Sequence, residues 1–124
     1  LTNLDYEKFY LDFKKSNADL SIACIPYNVN IPYAVLEKGD DGFIKSFKEK
    51  PTYTYFSNGG IYLMKKSILS LIPKNSFFNA TDLIDELISK NKKVMSFSLD
   101  GYWLDVGKHD DYKKAQIDIE KIKF

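Results

Sequence analysis

Leu20-Ser21-Ile22-Ala23-Cys24-Ile25 is a short apolar run that carries the β-favouring Ile22 and Ile25. Such a run reads as a strand buried on both faces, as in a sheet covered by helices. Upstream, Tyr6, Phe9, Tyr10 and Phe13 recur at i, i+3, i+4 and i+7, one face of a helix. Asn3 is the candidate N-cap of that helix. Asp5 and Glu7 suit its first turn and Lys14 and Lys15 its last. Downstream, Pro26 and Pro32 bracket an expected loop. Tyr33 to Glu37 and Phe43 to Phe47 then read as two strands, and the Gly39-Asp40-Asp41-Gly42 turn makes them a hairpin.

The rest of the chain keeps alternating between the two periods. Pro51 to Phe56 is expected as loop and Gly60 to Met64 as strand. Ile68 to Ile72 is a short helix stopped by Pro73. Asn79 and Thr81 are candidate caps of a helix bearing Leu83, Ile84, Leu87 and Ile88. Met95, Phe97 and Leu99 alternate with serines, the spacing of a half-buried strand. Tyr102 to Val106 is a further strand candidate. A last amphipathic helix carries Tyr112, Ala115, Ile119 and Ile122. Alternating strands and helices define an α/β class, and the hairpin makes the sheet mixed, flanked by helices.

Composition narrows the function classes. The formal net charge is +1 over 124 residues, which gives no electrostatic case for nucleic acid or an anionic membrane as partner. The chain is 44% hydrophobic and 28% charged, the balance of one globular domain over residues 1–124. No apolar stretch approaches the about 18 residues a membrane span needs, and no secretory signal is visible. Cys24 has no second cysteine to pair with, which points to a reducing cytoplasm. The chain opens with Leu1 rather than Met, almost directly into a helix, as a fragment or processed chain would.

Three places carry chemistry. Asp105 interrupts the apolar segment Tyr102-Trp103-Leu104-Asp105-Val106-Gly107 just before a glycine, where burying a charge is costly without a partner. It is a candidate Mg²⁺ ligand, since hard cations prefer oxygen. Alternatively it caps the following helix or bonds backbone amides. Glu49-Lys50-Pro51 ends the hairpin. Proline favours an extended backbone at Lys50, which would fix the direction of a cation suited to phosphate, and Glu49 is suited to sugar hydroxyls. A solvated, lysine-rich strand end is the plainer alternative. In Asn58-Gly59-Gly60 the amide offers donors and an acceptor to a polyol and the glycines allow close approach. An ordinary turn explains that tripeptide equally well.

Taken together and in order, these segments resemble the nucleoside-diphosphate-sugar pyrophosphorylases, such as glucose-1-phosphate thymidylyltransferase and mannose-1-phosphate guanylyltransferase. The resemblance runs through Leu1-Thr2-Asn3-Leu4-Asp5, Ile31-Pro32-Tyr33-Ala34-Val35, Phe47-Lys48-Glu49-Lys50-Pro51, Ser57-Asn58-Gly59-Gly60-Ile61-Tyr62, Thr81-Asp82-Leu83-Ile84 and Gly101-Tyr102-Trp103-Leu104-Asp105-Val106-Gly107. It implies the C-terminal, sugar-phosphate half of a Rossmann-like nucleotide-diphospho-sugar transferase fold. In that family a sugar-1-phosphate oxygen attacks the α-phosphorus of a nucleoside triphosphate in line and pyrophosphate leaves.

By the same resemblance Asp105 is a Mg²⁺ ligand and Lys50 binds the sugar phosphate. Glu49 and Asn58 hold sugar hydroxyls, Gly59 lends backbone contact, and Tyr33-Ala34 line the sugar pocket. Lys50 and Asp105 are expected to converge on one pocket. Ala34 departs from the family's usual glycine, which puts its contact in doubt. The family's glycine-rich triphosphate loop, its base pocket and the aspartate that normally precedes the segment beginning at Leu1 are not among these residues. Residues 1–124 alone are therefore expected to be inactive. A sheet edge and an apolar face left open would favour a homo-oligomer. The competing reading is a non-catalytic regulatory or structural relative that binds sugar phosphate or a partner subunit. Retention of Glu49, Lys50 and Asp105 together favours the enzyme.

Overall fold

The computed structural model describes residues 1–123. The order of elements is α1 (Tyr6–Ser16), β1 (Leu20–Asn30), β2 (Val35–Lys38), β3 (Ile44–Lys48), β4 (Thr52–Met64), a 3-10 helix (Lys66–Leu71), α2 (Ala80–Ser89), β5 (Val94–Ser98) and α3 (His109–Ile119). The chain divides into two compact units, Leu1–Ile25 with the stretch from Asn58 onward, and Pro26–Ser57.

The first unit is built on a three-stranded sheet in the order β4-β1-β5. β5 runs parallel to β1, from Leu20 opposite Val94 to Cys24 opposite Ser98. β4 runs the other way. Gly59 lies against the Ala23 carbonyl, and six residues later the Lys65 amide donates to Asp19, four residues back along the chain from Ala23. The sheet is therefore mixed, and both of its faces are covered by helices.

Alternation along β1 sorts its side chains between the two faces. Leu20, Ile22 and Cys24 pack with Ile68, Leu83 and Leu87, which come from the 3-10 helix and α2. Ala23 packs on the other face with Leu4, Phe9, Phe97 and Leu99 under α1. The Phe9 and Phe97 rings lie 4.8 Å apart at a tilt of 40°. This is the doubly covered strand that the apolar run at residues 20–25 predicts.

Several local expectations are corrected. The cap of α1 is Asp5, whose carboxylate accepts from the Lys8 amide at 2.9 Å. Asn3 instead accepts from the Tyr102 amide at 2.6 Å. On α1 only Phe9 and Phe13 are buried, and Tyr6 and Tyr10 face outward. At α2 the cap is Asn79, its amide donating to the Asp82 carboxylate at 2.9 Å, and Thr81 lies inside the helix.

β1 continues through Pro26 to Asn30 instead of breaking into a loop. Alternate residues of a strand point the same way, so the Pro26 nitrogen faces the side on which β5 has already ended its pairing at Cys24. No ladder bond is lost there. β4 likewise begins at Thr52, within the expected loop. Tyr102 to Val106 forms no strand. It makes a single antiparallel bridge, Thr2 to Trp103.

In the second unit β2 and β3 form a separate two-stranded antiparallel sheet with a register shift at Glu37/Lys38. The turn closes with the Gly42 amide on the Gly39 carbonyl at 3.0 Å and the Gly39 amide on the Phe43 carbonyl at 2.9 Å. Thr52 donates to Asn30 and Thr54 to Asn28, both at 2.8 Å. No residue of 26–57 is buried. Among the described residues no helix is long and apolar enough to cross a membrane.

Candidate functional site

Asp105 sits on a segment that is tied down at its start and free at its end. The Leu1 nitrogen donates to the Leu104 carbonyl and the Leu104 amide to the Leu1 carbonyl, both at 2.8 Å. The Thr2 hydroxyl donates to the Tyr102 carbonyl at 2.8 Å, and the Asn3 amide reaches the same oxygen at 3.2 Å. From Asp105 to Gly107 there are no such bonds among the described residues. Asp105 is exposed, and among the described residues its carboxylate has neither a hydrogen-bond nor an ion-pair partner. The expected cost of burying it does not arise. Nor does it cap α3, where the Lys108 amide donates to Asp111 at 3.0 Å.

The tripeptide Asn58-Gly59-Gly60 belongs to the same unit and lies within β4, not in a turn. The Asn58 amide group donates to the Tyr62 hydroxyl at 2.7 Å, and its oxygen accepts from the Gly60 amide at 2.9 Å. Its orientation is fixed, with one amide proton to spare for a ligand. Gly59 is buried, and a Cβ there would meet the Ala23 carbonyl at 2.7 Å, so packing of β4 on β1 requires glycine. Gly60 is exposed in a left-handed conformation, φ 73°, with open space around it. Trp103 joins these two pieces: its indole N–H donates to the Gly59 carbonyl at 3.1 Å.

Tyr33, Ala34, Glu49 and Lys50 lie in the other unit and are all exposed. Lys48, the neighbouring cation, is committed to Glu37 at 3.2 Å. Hydrogen bonds from Ser46 and then Lys48 hold the Glu37 carboxyl below its ordinary range. Lys50 and Glu49 have no such partner among the described residues. The expectation for the Lys50 backbone is reversed: its φ is 42°, left-handed rather than extended. That region is disfavoured for a side chain bearing a Cβ and again before proline, so Lys50 is a strained position.

Sequence reading missed the supporting residues. Tyr62 lies four residues beyond Asn58 in a strand, where a period of two puts both on one face. The polar tip of Trp103 was equally a signal, since a half-buried indole N–H needs an acceptor.

No group of three or more His, Cys, Asp or Glu suited to a metal occurs among the described residues. Asp105 thus fits a hard cation as one oxygen ligand, exposed and uncommitted, with the remaining ligands to come from elsewhere.

This layout, a mixed sheet covered on both faces, is the Rossmann-like architecture of nucleotidyltransferases. A Bacillus anthracis structure described as a glucose-1-phosphate thymidylyltransferase shares the fold, with a TM-score of 0.67 at 19% identity over 100% of this chain and 52% of that one. The chain belongs to the nucleotidyl transferase family, whose profile matches residues 1–122. It is 28% identical over 127 residues to a glucose-1-phosphate adenylyltransferase of Halalkalibacterium halodurans, covering 94% of this chain and 33% of that protein. A Clostridium perfringens glucose-1-phosphate adenylyltransferase is 29% identical over 95% of this chain and 33% of that protein. The crystal structure of HddC from Yersinia pseudotuberculosis matches with a TM-score of 0.59 at 27% identity, covering 95% of this chain and 51% of that one. The chain spans about a third of the length of these curated relatives.

Proposed function

We propose that this chain supplies the C-terminal, sugar-phosphate side of a cytoplasmic sugar-1-phosphate nucleotidyltransferase, which condenses a nucleoside triphosphate with a sugar 1-phosphate and releases pyrophosphate. The observation that carries the proposal is the uncommitted Asp105 carboxylate on a segment pinned through Leu104. An ordinary structural aspartate at that place would cap or pair. In the family a metal-binding aspartate immediately precedes the segment that begins at Leu1. Pairing of Leu1 with Leu104 supports the reading, because such a residue would leave the chain beside Asp105.

In this reading Asp105 holds Mg²⁺ and Lys50 binds the phosphate of the sugar. Glu49 and the free amide proton of Asn58 orient sugar hydroxyls, while Gly59 and Tyr33-Ala34 shape the pocket. The Gly59 carbonyl is already taken by Trp103, so any contact from Gly59 is made through its other atoms. Bound Mg²⁺ supplies charge neutralisation on the phosphate oxygens during in-line attack. The protein's share is positioning: a carboxylate next to a pinned residue, a fixed amide and one cation.

The test is pyrophosphate release from each of four nucleoside triphosphates with hexose 1-phosphates. A polypeptide extended upstream to the length of the relatives is expected to turn over, and residues 1–124 alone are not. Asp105→Ala in the extended protein is expected to lower kcat about 100-fold or more, the scale of removing metal stabilisation of several kcal/mol. Full activity of Asp105→Ala, or turnover by residues 1–124 alone, would refute the proposal. Homo-oligomerisation is part of the same reading, supported by exposed apolar side chains such as Phe43, Phe47 and Ile117.

A further inference from the structure

We propose that Trp103 is a positioning residue that couples the polyol contact at Asn58-Gly59 to the carboxylate of Asp105. The inference rests on the proposed role of Asp105 and adds to it a route by which the sugar side and the metal side sense one another.

The argument starts from what fixes each end. Gly59 is buried and packs closely on the Ala23 carbonyl, and its own carbonyl is the atom through which β4 reaches Trp103. Asn58, one residue earlier, is locked by Tyr62 and by the Gly60 amide. Gly60, one residue later in β4, is left-handed with open space around it, so the strand can yield there when a ligand engages Asn58. At the other end, Asp105 makes no bond of its own among the described residues. Its direction is set by the two residues before it.

Leu104 is paired to Leu1, and Trp103 is bridged to Thr2. Those ties hold the segment only from the residues before α1. The indole bond to Gly59 is the tie that runs from Trp103 to β4, at 3.1 Å. The Trp103 ring also packs against the buried cluster of Leu4, Phe9, Ala23, Phe97 and Leu99, which keeps it from swinging. A displacement of the Gly59 carbonyl therefore moves the indole, and the backbone two residues before the carboxylate moves with it. A tryptophan that merely filled the core would need an acceptor for its N–H, but not one on the strand that bears the polyol-binding amide.

Trp103 is the only tryptophan, so its indole N–H gives one unambiguous NMR signal. The experiment titrates ¹⁵N-labelled chain with millimolar Mn²⁺, then separately with Mg²⁺. Mn²⁺ is expected to broaden the amides of residues 104–107 with a saturable midpoint, and Asp105→Ala should abolish that broadening. Persistence in Asp105→Ala, or no broadening at all, would remove the metal-ligand role and this inference with it. Trp103→Phe keeps an aromatic ring against the core and deletes the donor together with part of the ring's volume. It is expected to raise the Mn²⁺ midpoint about tenfold, the scale for losing a group that orients a metal ligand. It should also cancel the Mg²⁺-induced shift of the Asn58 side-chain amide. An unchanged midpoint and an unchanged Asn58 shift in Trp103→Phe, with Asp105→Ala still inactive toward Mn²⁺, would overturn the coupling and leave the metal role standing. Should the variant misfold, the unsubstituted chain decides: the indole proton must shift as Mg²⁺ saturates, and an immobile signal overturns the proposal.

Discussion

Lys50 shows how a single backbone angle changes the argument about a side chain. Proline at 51 predicts an extended residue 50, yet φ is 42°. The left-handed region costs a residue with a Cβ roughly 1–2 kcal/mol. Lys50→Gly is therefore expected to be more stable than Lys50→Ala by about 1 kcal/mol, although both remove the cation. Urea unfolding of the two variants checks this, and equal midpoints would show that the position is unstrained. Ser21 offers a second test. Its hydroxyl is fully buried and has no hydrogen-bond partner among the described residues, and an unpaired buried hydroxyl costs about 1–3 kcal/mol. Ser21→Ala should accordingly raise stability by about 1 kcal/mol. A loss of stability would reveal a partner for that oxygen.

Among the elements, α3 is the one whose attachment is most specific. It contributes no buried residue, so packing alone does little to hold it. The Tyr102 hydroxyl donates to Asp118 at 2.6 Å, which ties the last turn of the helix to the segment that leads to Asp105. Partial burial, and then the Asp118 carboxylate, push the Tyr102 hydroxyl up to about 12 from its ordinary 10.0. A raised value means the bond's contribution is complete below pH 10 and is lost as pH rises toward 12. Amide exchange in α3 should thus accelerate across that window, and Tyr102→Phe should show fast exchange in α3 at neutral pH. Protection of α3 that is indifferent to both changes would show that other contacts hold it. The same elements mark what could be read in advance. The run at 20–25, the turn at 39–42 and the alternation at 95–99 are local signals, and the strands they predict are present. Extension of β1 through Pro26 was not legible, because it depends on where β5 ends, a fact of pairing and not of residues 26–30. Asp105 was legible as an interruption of an apolar segment. Its freedom from partners, and the Trp103 tie behind it, join residues more than 40 positions apart and have no local signature.

Across the whole molecule, stability is divided unevenly between the two units. The first has a sheet covered on both faces, with Phe9, Leu20, Leu87 and Ser21 almost entirely removed from water. It is also clamped at Asp19, whose carboxylate accepts from the Lys93 amide at 3.0 Å and from Lys65 at 3.2 Å. The backbone bond from Lys93, and next the one from Lys65, hold Asp19 below its ordinary 3.8. Being depressed, it adds stability above that value, and the contribution fades as pH falls below it. The second unit has no buried residue and is built around a two-stranded hairpin, an arrangement that is marginal in water. Its Tyr33, Phe43 and Phe47 are each at least 66% exposed. Hydrogen exchange follows from this difference. Amides of Val35–Lys38 and Ile44–Lys48 open locally at little cost, whereas those of Leu20 to Cys24 open only when the sheet itself comes apart. Mass spectrometry of deuterium uptake in the isolated chain should therefore show the hairpin exchanging orders of magnitude faster than residues 20–24. If Lys50, Glu49 and Tyr33 do grip a sugar phosphate, saturating ligand must slow the hairpin selectively, because only bound states with the unit folded are stabilised. Equal protection of hairpin and sheet without ligand would mean that the exposed aromatic side chains are covered in solution, with self-association the first cause to examine by sedimentation.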